Sequence, residues 1–229
     1  RYFAREATVL HPPVAVGRFS PGAVGDHYLV LSEVMAHKRI EVAVRAFSRM
    51  GLPLVVAGNG PDSRRLQRIA GPTIRFVGRV SDAEAERLLR TCRALVVTAT
   101  EEFGIVAVEA QASGRPVVAL RAGGVLETVV EGRTGTFYDE PEPDSLMAAV
   151  RAFDTLAVDQ STLSRQLAAL TVRPGEPPTE LVIEDIEVKK PGPHNPKLAR
   201  HIWEMWLGSH GLSKEMRQSL VDKLDALKK

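Results

Sequence analysis

One cysteine, Cys92, stands in 229 residues. That scarcity excludes an intramolecular disulfide framework and a cysteine-built zinc site. Neither sign of charge is in excess: 30 Lys+Arg oppose 28 Asp+Glu, so the basic surplus of a dedicated nucleic-acid binder is missing. No run of about 18 apolar residues occurs, which rules out a membrane-spanning helix. Residues 1–6 are charged and lack the apolar core of a secretory signal, so the expectation is a cytoplasmic protein. Against these absences stands a hydrophobic share of 44%, which at this length buries an ample core in one large domain or two small ones.

What is present is an alternation. Tyr28-Leu29-Val30-Leu31 reads as a buried strand, and over 39–50 the residues Ile40, Ala43, Val44 and Phe47 recur at helical spacing. Further strands are predicted at 54–57, 74–77, 94–97, 116–120 and 135–138. Helices are predicted at about 63–70, 82–91 with Ser81 as N-cap, 105–112 and 143–153. Repeated strand–helix–strand units predict a parallel sheet with right-handed crossovers, and strands apolar throughout predict helices on both faces. The expected fold class is therefore α/β, a doubly wound parallel sheet. Such sheets bind ligands at the carboxyl ends of their strands, here the loops after Ala57, Val77, Val97 and Leu120.

The pattern stops near residue 160. Residues 1–160 are expected to form one domain, and 161–229 a small, mainly helical extension. Proline-rich stretches at 173–178 and 190–193 read as linkers around a strand near 181–188, and 195–207 and 213–227 read as two helices. The tail holds both tryptophans, Trp203 and Trp206, and three of the six histidines, His194, His201 and His210. The histidines are too irregularly spaced for a metal site. The tryptophans pack on the final helix or, beside Arg200, dock on a partner or a membrane surface. Cys92, between a helix and a strand, reads as a small buried apolar residue.

The densest chemistry lies in Glu101-Glu102-Phe103-Gly104-Ile105-Val106-Ala107-Val108-Glu109. Glu101 falls in a strand-to-helix loop and Glu109 about one turn into the helix, so both carboxylates can enter one crevice from different heights. Carboxylates accept hydrogen bonds from sugar hydroxyls, and Gly104 with the free N–H groups of a helix start suits phosphate or hydroxyl oxygens. The plainer alternative is an acidic helix start complementing its dipole.

In context these residues resemble the nucleotide-binding half of the group 1, family four glycosyltransferases with the GT-B fold. The resemblance covers residues 9–153. It runs through His11-Pro12-Pro13-Val14, Ser32-Glu33-Val34-Met35-Ala36-His37-Lys38-Arg39, Ala57-Gly58-Asn59-Gly60-Pro61 and Phe76-Val77-Gly78-Arg79-Val80. It continues through 101–117, Gly123-Gly124-Val125-Leu126-Glu127-Thr128-Val129 and Gly132-Arg133-Thr134-Gly135. It implies a Rossmann-like domain that binds a nucleotide-sugar donor, with Glu101 on hydroxyls of the transferred sugar and Glu109 on the ribose. Lys38 would pair with the diphosphate and stabilise the charge of its departure, a contribution on the order of 3–4 kcal/mol. Gly58 and Gly60 would let the backbone turn near the donor. Arg79 and Val80 would line the base, and Gly123 and Gly124 would cap the phosphates. Phe103, Gly104 and Ile105 complete the implied donor site, and His11 would order the chain before the sheet. For Lys38 and Arg79 a solvated surface position is the alternative, and for the glycines an ordinary turn.

The implied reaction is retaining transfer of a hexose to a glycan or lipid-linked acceptor, without a bound metal or cofactor. Ser32-Glu33 resembles a mannosyltransferase-like subgroup and makes GDP-mannose the leading donor. Many members carry arginine where Glu33 stands. A carboxylate cannot neutralise phosphate, so the second phosphate contact falls to Arg39 or Arg121. The resemblance also implies an acceptor-binding half ahead of Arg1, so the sequence is expected to be a fragment or one partner of a split enzyme, with peripheral membrane contact allowed by its tail. The rivals are a nucleotide-sugar-binding module inactive without that half, and a non-catalytic interaction protein. A sugar epimerase of similar fold would need a catalytic histidine beside paired acids, which finds no place in this sequence.

Overall fold

The computed structural model describes residues 14–153. The extension 161–229, with its two linkers, strand, helices, tryptophans and histidines, lies outside the described residues, as does His11. A single 3-10 turn, Val16–Arg18, precedes a six-stranded sheet. The strands are β1 Tyr28–Leu31, β2 Leu54–Ala57, β3 Ile74–Gly78, β4 Leu95–Val97, β5 Val117–Leu120 and β6 Gly135–Tyr138. The helices are α1 Ile40–Met50, α2 Ser63–Ile69, α3 Asp82–Thr91, α4 Ile105–Ala112, α5 Val125–Thr128 and α6 Pro143–Phe153. All neighbouring strands pair in parallel, in the order β3-β2-β1-β4-β5-β6.

The two-sided burial follows from strand alternation. Tyr28, Val30, Leu54, Val56, Val118, Leu120 and Tyr138 point to one face, where Ile40, Ala43, Val44 and Phe47 of α1 meet Leu66 of α2 and Leu146 and Val150 of α6. On the other face Leu29, Val55, Leu95, Val117, Ala119 and Phe137 pack under Leu88 and Leu89 of α3, Ala107 and Ala110 of α4 and Val125 of α5. Tyr28 and Phe47 hold a tilted ring contact, centroids 4.9 Å apart. Burying each large apolar side chain contributes roughly 1.5–3 kcal/mol, so two such layers account for a stable sheet. Cys92 sits inside the second layer, where burial pushes its thiol up to about 12. Among the described residues no helix is long and apolar enough to cross a membrane.

The predicted elements fall where expected to within a residue at their ends; the third strand runs on to Gly78 and the fifth begins at Val117. The first helix begins at Ile40 rather than residue 39, because Arg39 adopts a left-handed backbone (φ 50°) that no α-helix accepts. The fourth strand begins at Leu95. The four-residue α5 was not expected, being too short to show a helical period.

The strand order reverses between β1 and β4. β1 continues leftward through β2 and β3, and β4 rightward through β5 and β6, so the loops leaving β1 and β4 diverge and open a crevice at their carboxyl ends.

Candidate functional site

The loops after β1 and β4 carry Lys38 and Glu101, 63 positions apart. Lys38 Nζ lies 3.0 Å from each carboxylate oxygen of Glu101, a two-point ion pair across the point where the strand order reverses. Both side chains are mostly covered, at 23% and 26% exposed. The two residues expected to perform chemistry are thus brought together.

Each partner is anchored through its backbone. Lys38 closes a 3-10 turn, Ala36–Lys38, and its carbonyl accepts a 2.6 Å hydrogen bond from the Thr98 hydroxyl at the end of β4. The preceding loop plugs into the core with Val34, whose N–H donates to the Asn59 carbonyl and whose carbonyl accepts from the Asp62 N–H. Glu101 is held by its own carbonyl, which accepts from the Gly124 N–H at 2.7 Å, and by a parallel bridge to Gly123.

The glycines on each side have a steric reason. A Cβ on Gly58 would run into the Ser32 carbonyl, and one on Gly60 into the Val34 carbonyl. Gly58, at φ 134°, also donates to the Gly78 carbonyl, tying the loops after β1, β2 and β3 together. Across the crevice, a Cβ on Gly124 would meet Phe103 Cα and the Glu102 carbonyl, so the loop after β5 lies pressed on the loop that carries Glu101. Gly58, Gly60 and Gly124, with Gly123 against the Glu101 carbonyl, therefore fix the two charged loops by close backbone packing. Phe103 is half-buried there, and Gly104 turns into α4 at φ 86°, with Ile105 as the first helical residue.

Glu109 has other company. It stands on α4, largely buried, and burial pushes its carboxyl up to about 7. Arg18 pulls that value down, while Asp82 and Glu86 push it further up. Arg18 itself donates through Nε and Nη2 to Glu86 Oε1 (3.0 and 2.7 Å), and Asp82 lies 3.6 Å away. Neither Arg18 nor Thr98 was singled out by sequence reasoning, because the pairs Arg18–Glu86 and Thr98–Lys38 span 68 and 60 positions and follow no motif. Val80 is half-buried against the α3 layer, and Arg79 beside it is exposed.

Of the two arginines offered for the second phosphate contact, Arg121 is already committed. It donates to both Glu131 oxygens at 2.9 Å and to Asp139 at 2.6 Å, and lies over the Phe137 ring. Arg39 is exposed and directly follows Lys38. It is the one non-glycine at positive φ among the described residues. Among those residues no three His, Cys, Asp or Glu side chains gather as a metal-binding group.

Residues 25–161 match the family model described as glycosyl transferases group 1. A D-inositol 3-phosphate glycosyltransferase from Nocardioides sp. is 31% identical over 184 residues, covering 62% of this chain and 40% of that protein. A GDP-mannose-dependent alpha-(1-6)-phosphatidylinositol monomannoside mannosyltransferase from Mycolicibacterium smegmatis is 32% identical over 172 residues, covering 62% of this chain and 45% of that protein. Among solved structures, sucrose-phosphate synthase from Thermosynechococcus elongatus shares the fold with a TM-score of 0.61 at 24% identity, over 69% of this chain and 47% of that one. The chain spans less than half the length of these relatives.

Proposed function

The chain belongs to the group 1 glycosyl transferases, and from that premise we propose that its sheet domain binds the nucleotide-sugar donor of a retaining hexosyltransferase. The observation that carries this reading is the Lys38–Glu101 pair: a cation and a carboxylate held by separate loops at the point where doubly wound sheets take their ligands. Lys38 receives the diphosphate and stabilises its developing charge, Glu101 accepts hydroxyls of the sugar, and Glu109 accepts the ribose hydroxyls. Arg79 and Val80 flank the base, while Phe103, Gly104 and Ile105 form the wall between sugar and ribose. Gly58, Gly60, Gly123 and Gly124 keep the loops close enough for one donor to touch both. Arg39 supplies the second phosphate charge that Glu33 cannot, since Arg121 is neutralised by Glu131 and Asp139.

GDP-mannose is the donor we favour, in keeping with Ser32-Glu33 and with the name of the Mycolicibacterium relative. The acceptor is a glycan or a lipid-linked saccharide at the cytoplasmic face of a membrane. It is held by a second half of the enzyme, in the same polypeptide or another, of which this chain is the donor-binding partner. The coverage of the relatives also supports a second reading, a module that binds the donor and transfers nothing until an acceptor-binding half joins it.

Calorimetric titration of the chain with GDP-mannose, UDP-glucose and GDP tests the donor site. Saturable binding near micromolar, about −8 kcal/mol, that is lost in Glu109→Ala is expected. No binding of any of the three would overturn the donor assignment. Sugar transfer by the chain alone to a supplied acceptor would exclude the module reading.

A further inference from the structure

We infer that the Lys38–Glu101 ion pair selects for a diphosphate that carries a sugar over a bare nucleoside diphosphate, an inference that rests on the donor-site reading above. Each group is the other's partner, with Nζ 3.0 Å from both oxygens. Two of the three ammonium protons are therefore spent on one carboxylate.

A diphosphate that reaches Lys38 competes directly with Glu101. Both loops are tied through their backbones: the Lys38 carbonyl to Thr98, and the Glu101 carbonyl to Gly124, with Gly123 packed against it. The exchange is left to the side chains, and Glu101 stays beside the incoming phosphates. Two ligands then fare differently. A nucleotide sugar brings hydroxyl donors that replace the bonds Glu101 gives up. A bare nucleoside diphosphate brings none, so a mostly covered carboxylate is left without donors next to a second anion, and both the lost bonds and the like charge oppose binding. The discrimination is built from a penalty against the wrong ligand rather than from extra attraction to the right one. In a transferase it favours donor over spent product, because departure of the sugar removes the hydroxyls and lets Glu101 reclaim Lys38.

The test is the ratio of affinities for GDP-mannose and GDP, and for UDP-glucose and UDP, in the native chain, Glu101→Gln and Lys38→Gln. Glu101→Gln keeps the shape and removes the charge. It is expected to tighten bare GDP or UDP on the order of tenfold, the scale of one like charge a few ångströms away in a partly wet site. The same change weakens the sugar nucleotides, so the native preference collapses. Lys38→Gln is expected to weaken both ligand types together. Melting curves establish that each variant is folded, and Glu101→Ala repeats the measurement if Glu101→Gln is not. Native binding of a sugar nucleotide with unchanged or weaker GDP and UDP affinity in the Glu101 variants would overturn the selection mechanism alone. Failure of the native chain to bind any sugar nucleotide would overturn the donor reading and the mechanism with it.

Discussion

Glu101 and Glu109 lie eight positions apart on one strand-to-helix junction, yet the fold gives them opposite surroundings. Glu101 faces a lysine that meets both its oxygens, on a loop braced from below by two glycines. Glu109 is largely covered on α4, where Arg18, the cation that lowers its pKa, is already bonded to Glu86. The first carboxylate is compensated by a partner, and the second is left close to neutral protonation by burial. The same residue type thus serves one site as the partner of a lysine and another as a carboxyl whose pKa is raised by burial.

The largest effect is expected where the brace under Glu101 is removed. Gly124→Ala places a methyl group against Phe103 Cα and the Glu102 carbonyl, neither of which is a side chain that can rotate away. A loss of about 1–3 kcal/mol or more is expected, read as a lower melting temperature together with weaker donor binding. Gly132→Ala is the control. A φ of 75° strains the introduced alanine, but nothing lies within 4 Å of the added carbon, so a loss of only about 1–2 kcal/mol with unchanged donor binding is expected.

Next in size is Lys38→Ala. Removal of the ammonium that meets the Glu101 carboxylate is expected to weaken nucleotide-sugar binding about a hundredfold, close to 2.7 kcal/mol, by calorimetry. The pH dependence that belongs to Glu109 should survive in this variant. If it vanishes too, the two carboxylates are not independent sites.

Arg39→Gly separates stability from binding. A non-glycine residue in the left-handed region costs roughly 1–2 kcal/mol, and the freedom that glycine adds to the unfolded chain returns part of it. The variant is expected to melt at the same temperature or slightly higher, while donor affinity falls about tenfold through loss of the second phosphate charge. A lower melting temperature with unchanged affinity would mean that Arg39 serves the fold and not the donor.

The division between what was legible in the sequence and what was not follows the range of the interactions. Strands buried on both faces, such as Leu54-Val55-Val56-Ala57, declare themselves by composition over four residues, and α1 by its Ile40, Ala43, Val44 and Phe47 stripe. The left-handed turn at Arg39 left no mark, because no propensity favours arginine there. Glu101 stood out by its place in the loop after a strand, and Lys38 only by resemblance to a family; their contact joins loops 63 positions apart and depends on the strand order. The glycines show the same limit. Gly58 reads as a turn near the donor and Gly124 as a cap on its phosphates, whereas in the fold the carbonyls of Ser32 and Glu102 stand where a Cβ on either would lie. Arg18 and Thr98 act through pairings that no local pattern encodes.

The smallest expected effect sharpens the comparison most directly. In the folded chain the Glu109 carboxyl sits near 7 against an ordinary value of 4.5. Between those values the native state holds a proton that the unfolded chain has lost, so stability declines as pH rises through that window and stays reduced above it. Glutamine mimics the protonated form. Glu109→Gln is therefore expected to leave the melting temperature unchanged near pH 4 and to raise it near pH 8 by a few degrees, each kcal/mol being worth roughly 2–4 °C at this size. Binding should move the opposite way. Ribose hydroxyls donate to the ionised carboxylate, so nucleotide affinity in the native chain should rise as pH passes about 7 and stay flat in Glu109→Gln. Glu101→Gln should leave that rise intact, because Glu101 meets Lys38 and is not among the charges that act on Glu109. A native affinity that does not change with pH would place the ribose elsewhere, and Glu109 would then be a buried acid whose only consequence is its cost to the fold.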